Sequence, residues 1–339
     1  MLGNGENIVS KSKRARTNDN LILSYDLGGT NVRCGVVDDK GNILARSKTP
    51  TGNKPDPKEL FARMASIADE CCAKLGKKRK DLCAAGIGSP GPLNSQTGWL
   101  SETPNLGWKD IPLTKIAREA LDMKVYLEND ANSALWGEYW KGAGVGRKTM
   151  FILTLGTGVG GSLILDGKLW RGPDDTAGHL GHMTIHSEGK PHWGLDNPGN
   201  VEALCSATAC IRDAREAAKA HPDSLLAKIP AEEMTAAYAS ECADKGDPYA
   251  LEIFNRIGYY LGVACATLAN VFNPEIGIIG GGMAGAGDKI FVPLRKELKR
   301  RALIVPGRRL EIAEAKLGDD AGLVGAAGLA FERFKAGEK

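Results

Sequence analysis

The chain has 339 residues, of which 42% are hydrophobic and 25% are charged, the composition of an ordinary globular protein of about two domains. The formal net charge of +3 gives no support for a nucleic acid or a membrane partner. No apolar stretch is long enough to span a bilayer. Residues 1–20 are polar and lack the apolar core of a secretory signal, so we expect a disordered leader there.

Eight cysteines are spread along the chain, and no Cys-x-x-Cys pair occurs among them. Several stand in apolar surroundings, which is typical of reduced thiols and not of a disulfide framework. The cysteines therefore predict a cytoplasmic protein.

The patterns in chain order predict an α/β protein. Apolar runs indicate strands in the first part of the chain at 21–25, 32–37, 43–48, 82–88 and 124–130. Helical periodicity indicates helices at 57–75 and 131–142. In the second part we expect an irregular loop at 171–202, helices near 203–220, 231–244, 248–271, 293–303 and 321–334, and strands at 276–281 and 311–317. Strands that alternate with helices place the chain in the α/β class.

A glycine-rich turn between two apolar runs occurs twice, in LILSYDLGGTNVRCGVV at 21–37 and in MFILTLGTGVGGSLIL at 150–165. Each pattern predicts a β-hairpin, and glycine at its tip lets the backbone approach a ligand. Free N–H groups and a threonine hydroxyl can bind phosphate oxygens. The pair suggests two similar domains that face one nucleotide. The candidate residues are Gly28, Gly29 and Thr30 in the first turn, and Gly156, Thr157 and Gly158 in the second.

Either turn alone is equally consistent with an ordinary hairpin, and neither matches the Walker pattern or opens a helix directly. Asp26 strengthens the nucleotide interpretation, because a carboxylate at a strand end beside a phosphate site suits hydrated Mg²⁺.

Asp130 is the candidate catalytic residue. It ends an apolar strand and precedes a helix, the position at which open α/β sheets place ligand groups. A carboxylate there could accept a proton from an attacking hydroxyl. The alternative is that Asp130 or Asn129 only caps the helix.

Four further polar positions are weaker candidates. His179 and His182 could present two imidazoles to one ligand, or could simply bond to backbone carbonyls. Glu202 opens a helix and could act only by stabilising the dipole at the helix N-terminus. Asn105 could be a simple turn residue. A glycine cluster formed by Gly280, Gly281 and Gly282 could let an adenine ring lie against the backbone.

Together these segments resemble the ROK family of sugar kinases, within the actin-like ATPase and hexokinase superfamily. The resemblance runs from about residue 21 to about residue 330 and follows the family's order of motifs. The motifs are DLGGTNVR at 26–33, GSPGPL at 88–93, PNLGW at 104–108, ENDAN at 128–132, LGTGVGG at 155–161 and GVACATLANVFNPEIGIIGGG at 262–282.

The resemblance implies a role for each candidate. Asp130 would be the general base for the sugar 6-hydroxyl, and Asp26 would orient Mg²⁺. Side chains that would bind sugar hydroxyls are Asn105, Asn129, His182 and Glu202, with Pro90 and Gly91 lining the pocket. The two glycine turns, with Asn31 added to the first, would hold the ATP phosphates, and the glycine cluster would hold adenosine.

Two departures from the family pattern affect specificity and metal content. His179 stands where the family usually has glutamate, so we expect it to face the sugar and to alter sugar preference. The family often has a zinc site of one histidine and three cysteines, but residues 192–202 contain no cysteine. We therefore expect no structural zinc.

We predict two ribonuclease-H-like domains with the active site in the cleft between them. The domains would cover 21–131, with the helix at 321–335 packed back on it, and 132–320. The predicted reaction is ATP-dependent phosphorylation of a hexose, most simply glucose, by a homodimer. The alternatives are a kinase for another hexose or N-acetylhexosamine, and a weakly catalytic sugar-binding regulator. Family repressors carry an N-terminal helix-turn-helix module, for which residues 1–20 are too few.

Overall fold

A computed structural model describes residues 20–192, 194 and 196–338, so the predicted leader lies outside the described residues apart from Asn20. The strands are β1 (Leu21–Leu27), β2 (Asn31–Asp38), β3 (Ile43–Pro50), β4 (Ala84–Ser89), β5 (Leu93–Asn94), β6 (Trp99–Thr103), β7 (Trp108–Ile111), β8 (Val125–Asn129), β9 (Met150–Leu155), β10 (Val159–Leu165), β11 (Lys168–Leu169), β12 (Ile276–Gly280) and β13 (Glu311–Glu314). The helices are α1 (Pro57–Ala73), α2 (Leu113–Leu121), α3 (Asp130–Lys141), α4 (Val201–Cys205), α5 (Ala207–Ala220), α6 (Ala236–Asp244), α7 (Pro248–Phe272), α8 (Asp288–Arg301), α9 (Ile304–Arg309) and α10 (Ala321–Lys335).

Two five-stranded sheets with the same topology form the framework. The first has the order β3-β2-β1-β4-β8 and the second the order β11-β10-β9-β12-β13. In each sheet a hairpin and a third antiparallel strand come first, and two parallel strands follow on the other side. The two predicted glycine turns are therefore the tips of equivalent hairpins, β1–β2 and β9–β10.

Helices α3 and α10 form the layer between the two sheets. Apolar residues of α10 pack against β1 and β4 of the first sheet, and α3 packs against β9 and β10 of the second. The two helices cross in close contact, because a β-carbon at Gly325 would overlap the Ser133 carbonyl, and one at Gly137 would overlap the Ala321 carbonyl. Glycine at both positions lets the two backbones touch.

The outer layers follow from local signals. Asp56 caps α1 by accepting from the Lys58 and Glu59 N–H groups, and Pro57 fills its first position. Asp247 caps α7 in the same way, and Asn273 ends that helix in a left-handed conformation with φ 47°. The apolar faces of α5, α6, α7 and α8 then enclose a core on the outer side of the second sheet.

The structure confirms most predicted elements and corrects several boundaries. The strand expected at 124–130 ends at Asn129, so Asp130 is the first residue of α3. The helix expected near 203–220 is divided at Ser206 into α4 and α5, the helix expected at 231–244 begins at Ala236, and the strand expected at 311–317 ends at Glu314. The helix expected at 293–303 begins at Asp288, so Pro293 lies inside α8 and not at its start. Helix α2 and a small antiparallel sheet of β5, β6 and β7 have no counterpart in the prediction. Across the described part of the chain, no helix has both the length and the apolar character needed to cross a bilayer.

The contact between α3 and α10 predicts a packing defect in Gly325→Ala. Alanine normally favours a helix by roughly 1 kcal/mol over glycine. Here the added methyl meets the Ser133 carbonyl, so we expect a net loss of about 1–3 kcal/mol in the free energy of unfolding. Urea denaturation measures it. Gly285→Ala is the matched control, because no atom lies within 4 Å of its β-carbon position; an equal or smaller loss at Gly325 would contradict the prediction.

Candidate active site

The first glycine turn is held open by Thr51. The Gly28 N–H donates to the Asn31 carbonyl at 3.1 Å and closes the turn. The Thr51 hydroxyl donates to the Gly28 carbonyl at 2.6 Å, and the Thr51 N–H donates to the Thr30 carbonyl at 2.8 Å. These two hydrogen bonds from Thr51 occupy the Gly28 and Thr30 carbonyls. Gly29 and Thr30 are exposed at the tip of the turn.

The second turn is braced in the same manner by the start of α5. The Ala207 N–H donates to the Gly156 carbonyl at 2.8 Å, and the Thr208 hydroxyl donates to the Thr157 carbonyl at 2.7 Å. A β-carbon at Gly29 or at Gly156 would meet no atom within 4 Å. The turns thus leave open space beside their backbones, as binding of phosphate oxygens requires.

The predicted adenosine segment lies next to the second turn. Gly281 has φ +82°, and a β-carbon there would overlap the Leu155 backbone, which directly precedes Gly156. Gly282 has no atom within 4 Å of its β-carbon position. Gly280 ends β12 beside β9. The structure therefore brings the glycine cluster and the second turn to one edge of the second sheet.

Two carboxylates interact at this end of the first sheet, Asp26 near the end of β1 and Asp130 at the start of α3. Burial raises the pKa of Asp26, although the Arg33 guanidinium donates to it at 3.1 Å. Burial also raises the pKa of Asp130, to about 6, and the negative charge of Asp26 adds to the rise. A β-carbon at Gly322 would lie 2.9 Å from the Asp26 carboxyl carbon, so the start of α10 closes this side of the site. Two close carboxylates that favour protonation suit a cation.

Asn129 caps α3, which is the capping role that the sequence analysis allowed for Asn129 or Asp130. Its side-chain oxygen accepts from the Ala131 N–H at 2.9 Å and from the Asn132 N–H at 3.1 Å. Its amide nitrogen also donates to the Gly91 carbonyl at 3.4 Å, which joins the loop of Pro90 and Gly91 to the turn. The Asp130 carboxylate itself accepts from the Ala131 N–H at 2.8 Å, and the negative charge of Asp26 raises its pKa.

Glu128 ties this turn to the second half of the molecule. It is buried, and one of its oxygens accepts from the Asn129 N–H at 3.0 Å and from the Asn132 amide at 2.8 Å. Its other oxygen accepts from Arg171 Nε at 2.9 Å and Nη2 at 2.7 Å. Nothing in the local sequence signals this ion pair, because Glu128 lies in β8 and Arg171 lies 43 residues later, in the loop after β11.

Three histidines and Glu202 form a continuous group beside the second turn. Glu202 accepts from the Val159 N–H at 2.8 Å, and its other oxygen lies 2.6 Å from His192 Nε2. The His192 and His182 ring centres are 5.9 Å apart, and those of His182 and His179 are 6.2 Å apart. The structure thus brings the candidates His179, His182 and Glu202 together and adds His192, for which the sequence analysis gave no signal.

Burial lowers the pKa of His179, and the nearby His182 lowers it further. The imidazole is therefore neutral at neutral pH, with one nitrogen that donates and one that accepts. Asn105 is the exception among the candidates: it is exposed between β6 and β7, and no hydrogen bond joins it to the other site residues among those described.

These features are those of a phosphotransferase cleft in a duplicated α/β fold, and comparison with known proteins identifies the class. The model of the ROK family matches residues 22–333. The chain belongs to the ROK family.

The relatives include enzymes and regulators. A glucokinase of Halalkalibacterium halodurans is 35% identical over 323 residues, covering 95% of this chain and 98% of that protein. The crystal structure of a ROK glucokinase from Streptomyces griseus, in complex with glucose and AMPPNP, has a TM-score of 0.80 and 33% identity, covering 92% of this chain and 100% of that chain. A xylose repressor of Caldicellulosiruptor bescii is 27% identical, covering 90% of this chain and 76% of that protein. The predicted fold class is confirmed: the chain has the two-domain, actin-like ATPase architecture.

Proposed function

We propose that the protein is an ATP-dependent hexose kinase that phosphorylates the sugar 6-hydroxyl, with glucose as its substrate. The observation that carries the proposal is Asp130 at the start of α3, whose pKa burial and the charge of Asp26 raise, in a fold whose two glycine turns are open. The similarity to glucokinases over nearly the full chain supports glucose. The test is a coupled kinase assay with glucose, N-acetylglucosamine, mannose, N-acetylmannosamine and fructose.

In this proposal the residues of the cleft bind and align ATP and the sugar, and Asp130 supplies the charge that takes up the proton. Gly28 to Asn31 and Gly156 to Gly158 hold the ATP phosphates through the groups of each turn that make no bond within the turn, and the cluster at 280–282 receives the adenosine. Asp130 accepts the proton of the sugar hydroxyl as that oxygen attacks the γ-phosphate. The cleft holds the two reactants in line and excludes water.

The residues present fit Mg²⁺. Asp26 is a largely buried carboxylate at a strand end, and Arg33 is its one cationic partner within hydrogen-bond distance among the described residues. Asp26 would hold the ion directly or through water. When bound, Mg²⁺ neutralises charge on the phosphates of ATP.

Sugar recognition falls to the polar group beside the second turn. Glu202, His182 and His179 would bind hydroxyls there, with Asn129 and the loop of Pro90 and Gly91 opposite. Buried polar groups that need partners discriminate strongly between sugars that can and cannot supply them. Asn105 would join them only if its loop turns toward the cleft when sugar binds.

A sugar-binding regulator is the second candidate function, because His179 departs from the family's glutamate and regulators are among the relatives. The assay separates the two: turnover with any hexose supports the kinase, whereas sugar binding without turnover supports the regulator.

Asp130→Asn should abolish turnover and spare sugar binding. Asparagine keeps the oxygen that accepts from the Ala131 N–H at 2.8 Å, so the turn is preserved. It cannot take a proton, and we expect kcat to fall by ~10²–10⁴-fold. Asp39→Asn, at an exposed carboxylate, is the control. A kcat within a few-fold of wild type would exclude Asp130 as the base.

His179→Glu should change the ratios of kcat/KM among hexoses that differ near carbons 1 and 2, with glucose improved. The reason is that a neutral imidazole both donates and accepts, whereas a carboxylate only accepts. The comparison is glucose against N-acetylglucosamine and mannose, with His179→Ala alongside. The control is His221→Glu at the far end of α5, where His221 stacks on Tyr249. Ratios that stay constant in both His179 variants would assign His179 a structural role.

The purified protein should hold no stoichiometric zinc. The loop before Glu202 lacks the family's cysteines. Within the described residues, His182, His192 and Glu202 are the one group of three whose ligand atoms lie within 4.8 Å of one another. His192 already bonds directly to Glu202 there. Elemental analysis after dialysis measures the metal, and one zinc per chain that disappears in His182→Ala would overturn this proposal.

The protein should be a homodimer in the cytoplasm. Leu303, Ile304 and Val305 are 64%, 72% and 69% exposed, and these side chains form an apolar run beside the long helix α7. Such a run is typical of a surface that another protein covers. Light scattering should give twice the chain mass, and Ile304→Glu should give the monomer. A wild-type protein that is monomeric at micromolar concentration would contradict the prediction.

A further inference from the structure

The segment from Trp170 to Gly178 joins the two halves of the molecule at two separate points. It follows β11 of the second sheet, and Arg171 at its start donates twice to Glu128 of β8 in the first sheet. Four residues later, the Asp175 carboxylate accepts from the Ser95 N–H at 2.8 Å and from its hydroxyl at 2.7 Å. Both first-half partners are buried, at 4% and 5% exposure for Glu128 and Ser95.

The segment has a fixed internal shape. The Ala177 N–H donates to the Arg171 carbonyl at 2.9 Å and closes the loop. Asp175 has φ +58°, a left-handed conformation that is uncommon outside glycine and persists when surrounding contacts hold it. His179 follows directly after this closed loop, so its place is set by the same two anchors.

The other end of the ion pair sets the place of the proposed base. The Glu128 oxygen that Arg171 does not touch accepts from the Asn129 N–H, one residue before Asp130. It also accepts from Asn132, whose side-chain oxygen accepts from the buried Ser162 hydroxyl of β10 at 2.6 Å. One carboxylate thus orients the turn that carries Asp130 and binds it to the second sheet.

We propose that residues 170–178 form a clasp across the two halves, in which Arg171 is a positioning residue that holds the Asp130 turn and the His179 loop in register. This inference rests on the proposed kinase function. Its physical basis is that a shift of about 1 Å in a reacting group costs on the order of 100-fold in rate. Arg171 forms a rigid two-nitrogen contact that lysine cannot reproduce.

A buried ion pair can also be purely structural, because loss of Arg171 leaves the Glu128 charge without its partner. The double variant Glu128→Gln/Arg171→Met separates the two roles. Glutamine keeps the oxygen that accepts from Asn129 and Asn132, and it removes the unpaired charge. Asp175→Ala breaks the other anchor without leaving a buried charge behind.

The experiment measures kcat, the KM values for glucose and ATP, and the melting temperature of these variants. Arg171→Met should melt earlier than wild type and lose about 100-fold in kcat, with the KM for ATP unchanged. The double variant should regain the melting temperature and keep the low kcat. Recovery of kcat to within a few-fold of wild type in the double variant would overturn the proposal. Arg147→Met, which removes an exposed ion pair with Glu311, is the matched control and should match wild type.

Hydrogen exchange without substrate keeps the test independent of the proposed function. The Ala131 and Asn132 amides should exchange faster in Arg171→Met and in the double variant than in wild type or Arg147→Met. If wild type phosphorylates no hexose, the kinase proposal fails and the exchange still reports on the clasp. Unchanged exchange at both amides would contradict the clasp itself.

Discussion

The close contact between α3 and α10 is the constraint on which the rest of the structure depends. Each helix lies on a different sheet, and the glycines at 137 and 325 let their backbones touch. The N-terminal ends of both helices reach the cleft, with Asp130 at the first position of α3 and Gly322 against Asp26 in α10. A wider spacing between these helices would move the two carboxylates apart.

The repeated topology explains why the fold carries two equivalent glycine turns. The hairpins β1–β2 and β9–β10 occupy the same place in their sheets, so duplication of one framework yields two glycine tips. The supports differ: Thr51 braces the first turn, while α5 and Glu202 brace the second. The second turn is therefore connected through Glu202 to the histidines that would bind the sugar. The first turn follows directly after Asp26 and Leu27 of β1.

Three carboxylates lie near the start of α3, Asp26, Glu128 and Asp130, and two of them are paired with arginines. Burial favours the protonated form of Asp130 and of Asp26, and Arg33 offsets part of this effect at Asp26. Glu128 is compensated from the other side by Arg171. As the proposed base, Asp130 would accept a proton more readily than an ordinary carboxylate, and with a pKa of about 6 it is mostly ionised at neutral pH. The pKa of His179 shifts in the opposite direction, which keeps its imidazole uncharged beside His182.

The resemblance to the ROK family implied the group of His179, His182 and Glu202. The sequence by itself determined the α/β class, both glycine turns, and the strand and helix that meet at Asp130. These features rest on local signals: apolar periodicity, glycine at turns and polar residues at strand ends. Only the tertiary structure decided that Arg171 pairs with Glu128, that His192 contacts Glu202 and that Thr51 supports the first turn. These contacts join residues that lie 10 to 43 positions apart in the chain, and no local pattern encodes such a distance. The same reason explains α8, which begins before Pro293 because Ile290 and Phe291 are buried in the core of the second half.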